Sequence, residues 1–298
     1  MSRNKIAPRQ VKLWLILAST AALAHYGGGG YMAAALAAGA ILPLNLLFDD
    51  GFHRMGKFAS FLEWGWMVLI LARFLPASGA YWPGQGSGLA VPMTLLVLAA
   101  FAGGKEKSAR TGSTLFWLAG LMLLAIALAA VGQIEPRWMA PVPGEWSAGL
   151  IVTLLLPALS SALLPEEEGK SGTVLWTGVI AVAAAAILQG TLGTTVAMNT
   201  AAPLYELGRG LGKGGFEILV SVAATLGWYG LASFLFEAAA AFAEQWGTEA
   251  RTGRILTLAV SAALIALGVT IEGRIATGGS LVMWILLPML HPKKIKKR

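Results

Sequence analysis

The chain has 298 residues, 56% of them hydrophobic and only 12% charged, with mean hydropathy +0.69. A soluble domain carries about 25% charge, so this composition excludes an ordinary water-soluble fold and predicts an all-α polytopic membrane protein. The net charge of +7 raises nucleic acid as a partner, but the basic residues sit in short loops and at both termini, as membrane topology demands. No cysteine is present, which excludes disulfides, thiol nucleophiles and Cys-ligated metals.

Ten apolar spans follow in order: Val11–Tyr26, Tyr31–Phe48, Phe58–Trp82, Gly88–Gly103, Ser113–Gly132, Ala148–Leu164, Thr173–Val196, Gly214–Phe242, Arg254–Thr270 and Ile275–Leu290. Several are near the lower limit of about 17 residues for a spanning helix. The first is preceded by Arg3, Lys5, Arg9 and Lys12, and Ala22-Leu23-Ala24 fits a signal-peptidase site. Cleavage there leaves nine spans. The uncleaved reading is preferred, because a chain with nine further spans needs no removable signal.

With the N-terminus cytoplasmic, the cytoplasmic segments gather the four N-terminal cations, Arg54, Lys57, Lys105, Lys107, Arg110, Lys170, Arg251, Arg254 and the five of the tail from Lys293 to Arg298. The outer segments hold only Arg137, Arg209, Lys213 and Arg274. This asymmetry orients the chain with both termini cytoplasmic, and the basic tail 291–298 reads as an anchor to the inner leaflet. Membrane lipid is thus an expected partner and nucleic acid is not.

The third span carries Glu63 and Arg73, about 15 Å and roughly 280° apart on a helix, so they do not pair with each other. Each either snorkels to its own interface or faces the bundle interior and lines a path. Glu237, near the cytoplasmic end of the eighth span, has the same two readings. Pro136, Pro141 and Pro143 make 133–147 a turn-rich connection. Glu166, Glu167 and Glu168 form a solvated loop.

Five spans make an odd half. A second half of five therefore starts from the opposite side of the membrane, the arithmetic of an inverted repeat. The halves are about 11–132 and about 148–290, within a single transmembrane domain 1–298. The first span is short and runs into Gly27 and Gly28; the sixth is broken by Pro157, with Ser160 and Ser161 one turn on. Pro157 frees a backbone carbonyl, and Gly27, Gly28, Pro157, Ser160 and Ser161 become the candidate ligand site near the midplane. The plain alternative is a kinked helix with serines that pack against a neighbour.

Before the eighth span, Pro203–Lys213 combines a Pro, several glycines and the pair Glu206 and Arg209, three apart and fit for one helical turn. It is read as an outer lid, against the alternative of an ordinary surface pair. Gly212-Lys213 is not a phosphate loop, since Leu207 stands at the first Gly position and Gly214 at the Ser/Thr position. His25, His53 and His291 lack metal-ligand spacing. No nucleophile with a base is evident, so no enzyme activity, cofactor or metal is expected. The eighth span, about thirty residues and roughly 45 Å long as a helix, is expected to be the axis around which the bundle packs.

The stretches ARTGSTLFWLAGLMLL, PRWMAPVP, the Pro-interrupted sixth span and APLYELGRGLGKGGFE resemble the endospore germination permeases, the B subunits of GerA-type germinant receptors in the amino acid/polyamine/organocation superfamily. The resemblance covers about Ala109–Trp246. It implies a LeuT-like 5+5 fold, a spore inner membrane or cytoplasmic membrane location, a small nutrient ligand such as an amino acid, and companion A-type and C-type subunits. The chain departs from the family pattern in its short first span and in Ile218-Leu219-Val220, where the family tends to place an Arg and an acid. A secondary amino acid permease, with Glu63 as the coupling-ion candidate, and a non-transporting scaffold subunit of a spore or envelope complex are the alternatives.

Overall fold

The computed structural model describes residues 57–77, 82, 101, 104–139, 183, 186–193, 195–196, 203–212 and 215–269. Five α-helices lie within them: α1 (Lys57–Ala77), α2 (Lys105–Val131), α3 (Pro203–Gly210), α4 (Phe216–Trp246) and α5 (Ala250–Ala266). A 3₁₀ turn, Pro136–Met139, follows α2, and no strand occurs among the described residues. This part of the chain is all-α.

α4 is the axis. Its 31 residues make a rod of about 46 Å, and α1, α2, α3 and α5 all pack against it. The sequence explains this centrality. The stretch from Leu235 to Ala243 is nearly all small or apolar, and Ala239, Ala240, Ala241, Phe242 and Ala243 are buried. Small side chains let neighbouring backbones approach closely, which is how helices gain contact where hydrophobicity alone does not drive them together. Gly253 of α5 exploits it: a Cβ there would lie 3.0 Å from the Ala243 Cβ and 3.6 Å from the Ala240 carbonyl oxygen. α4 stops at Gly247, whose φ of 117° is left-handed and whose N–H caps the final turn; Thr248 adds a 2.7 Å hydroxyl bond to the Ala243 carbonyl.

The helices differ from the expected spans at their ends. α2 starts at Lys105, eight residues before Ser113, and α5 at Ala250, four before Arg254. Lys, Glu and Arg are good helix formers. Their polarity reads as loop in a hydropathy scan, although the backbone is already helical.

One helix among the described residues, Arg110–Val131 within α2, is long and apolar enough to cross a membrane. It spans about 33 Å, slightly more than a hydrocarbon core of about 30 Å. Its outer face is not covered by protein: Trp117, Leu118, Leu121, Leu124, Leu128 and Val131 are all exposed.

α1, α2 and α5 run antiparallel to α4, which sorts the charges. The starts of α1, α2 and α5 meet the end of α4, bringing Lys57, Lys105, Lys107, Arg110 and Arg251 to one end of the bundle. Lys57 Nζ lies beside Gly247 there. The other end carries Glu135, Arg137, Glu206, Arg209 and Glu217.

Candidate functional site

Burial separates the charged residues singled out in the sequence. Glu63 is 4% exposed and Glu237 is 1% exposed, so neither carboxyl reaches an interface. Arg73 belongs to α1, but its side chain lies outside the described residues, as do Gly27, Gly28, Pro157, Ser160 and Ser161.

Glu237 has a partner on the next helix. Arg254 Nη1 donates to Glu237 Oε2 at 2.7 Å, and the Arg254 side chain is 14% exposed. Its Nη2 donates to the Phe101 carbonyl at 2.9 Å, and the guanidinium carbon stands 4.3 Å from the centre of the Phe101 ring. That ring packs against Phe236, centroids 4.8 Å apart. One guanidinium thereby ties α4, α5 and the chain just before α2. Arginine suits the task because its planar fork bonds in two directions while its face lies on an aromatic ring. The sequence reading took Arg254, the first residue of the ninth span, as a cytoplasmic topology charge and missed the pair. The available signal was the hairpin: Gly247-Thr248 reverses the chain, so an acid late in α4 and a base early in α5 face each other.

Polar groups continue from this pair through the α1–α4–α5 interface. Trp64 Nε1 donates to Thr257 Oγ1 at 2.9 Å, and that hydroxyl donates to the Gly253 carbonyl at 2.7 Å. Ser60 Oγ donates to Gln245 Oε1 at 3.3 Å. Glu63 lies one turn from Ser60 and, among the described residues, has no ion-pair or hydrogen-bond partner. At the basic end, Phe61, Trp64 and Trp246 stack, with centroids 4.7–5.9 Å apart.

The opposite end is closed by apolar packing. Leu204, Leu207 and Leu211 on one side of α3 and its exit are buried with Val220, Ala223 and Ala224 of α4, Ile126 and Ala130 of α2, and Leu188. Gly208 permits the approach, since a Cβ there would meet Val220 Cγ2 at 2.7 Å and the Phe216 carbonyl oxygen at 3.0 Å. Trp82 Nε1 bonds Thr225 Oγ1 at 2.8 Å, Gln189 Nε2 bonds the Trp138 carbonyl at 2.8 Å, and the Glu135 N–H bonds the Gly190 carbonyl at 2.8 Å.

Glu206 and Arg209 face outward on α3, 3.6 Å apart, with the Arg209 side chain 66% exposed. The helix has two turns rather than the single one expected. Gly212 and Gly215, at φ 67° and 109°, take left-handed conformations between α3 and α4 that glycine adopts without strain. An exposed pair tolerates Arg209→Ala with a loss of about 0.5 kcal/mol or less. For a lid, Arg209→Ala is expected to alter ligand response at unchanged expression, and Glu206→Ala is expected to couple with it in a double-mutant cycle. Additive, near-neutral effects would leave an ordinary surface pair.

No protein-family model matches the chain, and no curated protein matches it. Within the described residues, the chain is an all-helical protein with one helix fit to cross a membrane, acidic groups buried inside, and a buried Glu–Arg pair at its basic end.

Proposed function

We propose that this chain is a polytopic membrane protein of about ten spans in a LeuT-like 5+5 arrangement. In this reading it is a transporter-fold subunit that senses or binds a small nutrient such as an amino acid, beside companion A-type and C-type receptor subunits. One observation carries the membrane part: α2 turns large apolar side chains outward, while Glu63, Glu237 and Arg254 are withdrawn inside. That distribution suits a lipid exterior around a partly polar interior. The basic end of the bundle supports a cytoplasmic orientation for Lys57, Lys107 and Arg251, with both termini on that side of a cytoplasmic or spore inner membrane. The sensing part rests on the residue resemblance over Ala109–Trp246.

The test is a thermal-shift series on the full chain in detergent, alone and with the two companion subunits, against a panel of amino acids. A ligand that binds only the folded state raises the melting temperature in proportion to its saturation. At least one amino acid is expected to do so, and Ser160→Ala with Ser161→Ala is expected to remove the shift without changing abundance. No shift with any amino acid in either preparation would remove the sensing role.

A secondary permease is the second reading, favoured by the burial of Glu63. Uptake into proteoliposomes that is lost in Glu63→Gln while binding persists would select it.

A further inference from the structure

Among the described residues, the hydroxyls of Ser108, Thr191, Ser233 and Ser261 are buried without a hydrogen-bond partner. Thr225, Thr257 and Ser221 donate to the carbonyl one turn back, at 2.7, 2.7 and 3.0 Å, the usual way a helical hydroxyl is satisfied without outside help. Ser233 on α4 and Ser261 on α5 do not. Both are at least nine-tenths buried, and among the described residues neither Oγ has a hydrogen-bond partner. Their depths are related. Gly253 packs against Ala240 and Ala243 where the two helices meet, and each serine lies two turns further along its own antiparallel helix, about 11 Å in. Glu237 is one turn from Ser233, and Thr257 one turn from Ser261. The buried face of α5 consists of Gly253, Thr257 and Ser261, none of them large and apolar, and Trp64 of α1 packs on it through its bond to Thr257. A row of polar groups, or seam, thus runs through the α1–α4–α5 interface, and it ends at the Arg254 guanidinium.

Arg254 is placed to close that seam. It is the more exposed member of its pair, it stands at the basic end beside Arg251, and its bonds to Glu237 and Phe101 hold three separate pieces of chain across the seam's end. We propose that Arg254 is a latch, and that the seam behind it is the route by which water and small polar solutes enter the bundle from the basic end when the latch opens. The inference rests on the membrane-embedded reading but not on the nutrient-sensing one.

The cysteine-free chain permits a direct test. Ser261→Cys and Ser233→Cys, each in the full-length chain in proteoliposomes, are treated with a small water-soluble methanethiosulfonate. The probe is added to the face where Thr252→Cys, an exposed control at the basic end, reacts. With the latch intact both buried positions are expected to react slowly. Adding Glu237→Gln or Arg254→Gln is expected to accelerate them by about tenfold or more, the factor that losing one charge-assisted hydrogen bond gives. Ala224→Cys, buried near the opposite end, is expected to keep its rate. Unchanged rates at Ser233→Cys and Ser261→Cys while Thr252→Cys still reacts would overturn the latch and leave the membrane reading standing. Equal acceleration at Ala224→Cys would also overturn it, because the pair would then be general packing. If Arg254→Gln fails to fold, Glu237→Gln decides: the isosteric amide keeps the packing and leaves Arg254 only a weaker, neutral hydrogen bond, so the charge-assisted bond of the latch is still lost.

Discussion

Replacing Glu237 by Ala is expected to destabilise the protein by about 3–5 kcal/mol, the cost of leaving one member of a buried pair without its counter-charge. Arg254 would keep the Phe101 carbonyl and ring, but neither carries a compensating negative charge. Combining Glu237→Leu with Arg254→Leu removes both charges and is expected to recover most of the loss, since a buried ion pair is often no more stabilising than apolar residues of similar volume. The measurement is the unfolding free energy in mixed micelles for both single variants and the double variant. A single-variant loss below about 1 kcal/mol would match an exposed pair and contradict the burial of Glu237.

Leu121→Arg is expected to have an effect of similar size for a different reason. Leu121 lies near the middle of the apolar stretch Arg110–Val131 and is exposed on the outer face of α2. In lipid, an Arg at the centre of a helix costs about 2.5–3.5 kcal/mol on insertion scales. In water, the same surface substitution stays within about 0.5 kcal/mol. The carbonate-resistant membrane fraction of the variant therefore separates the two environments: a marked fall is expected, and an unchanged fraction with unchanged stability would argue that this face does not meet lipid.

The sequence made the helical axis legible and the site only in part. A long, Ala-rich apolar stretch with few charges identified α4 as the centre, because hydropathy registers what is buried from water whatever the neighbours are. Helix starts were less legible. Lys105, Lys107 and Arg110 were read as loop, although they lie in the first turns of α2. Glu63 and Glu237 were recognisable as unusual from position alone, since acids inside apolar helices are rare. The partner of Glu237 was not, because it depends on where α5 begins, and Arg254 at the nominal edge of a span looked like a topology signal. The seam behind Arg254 was illegible for a similar reason: Ser233 and Ser261 are ordinary residues until the helix pairing sets them at one depth. The ligand-site expectation at Gly27, Gly28, Pro157, Ser160 and Ser161 falls outside the described residues, and so do the first, second, sixth and tenth spans.

The central claim is that the two ends of this bundle lie on opposite sides of a membrane. Single cysteines at Gln133, exposed just beyond α2, and at Thr252, exposed at the start of α5, test it in intact cells with an impermeant thiol reagent. Gln85→Cys and Gly144→Cys extend the outer set, and Gly169→Cys the inner one. The account predicts labelling at Gln133→Cys, Gln85→Cys and Gly144→Cys from outside, and at Thr252→Cys and Gly169→Cys only after the membrane is permeabilised. Labelling of Gln133→Cys and Thr252→Cys from the same side would contradict it.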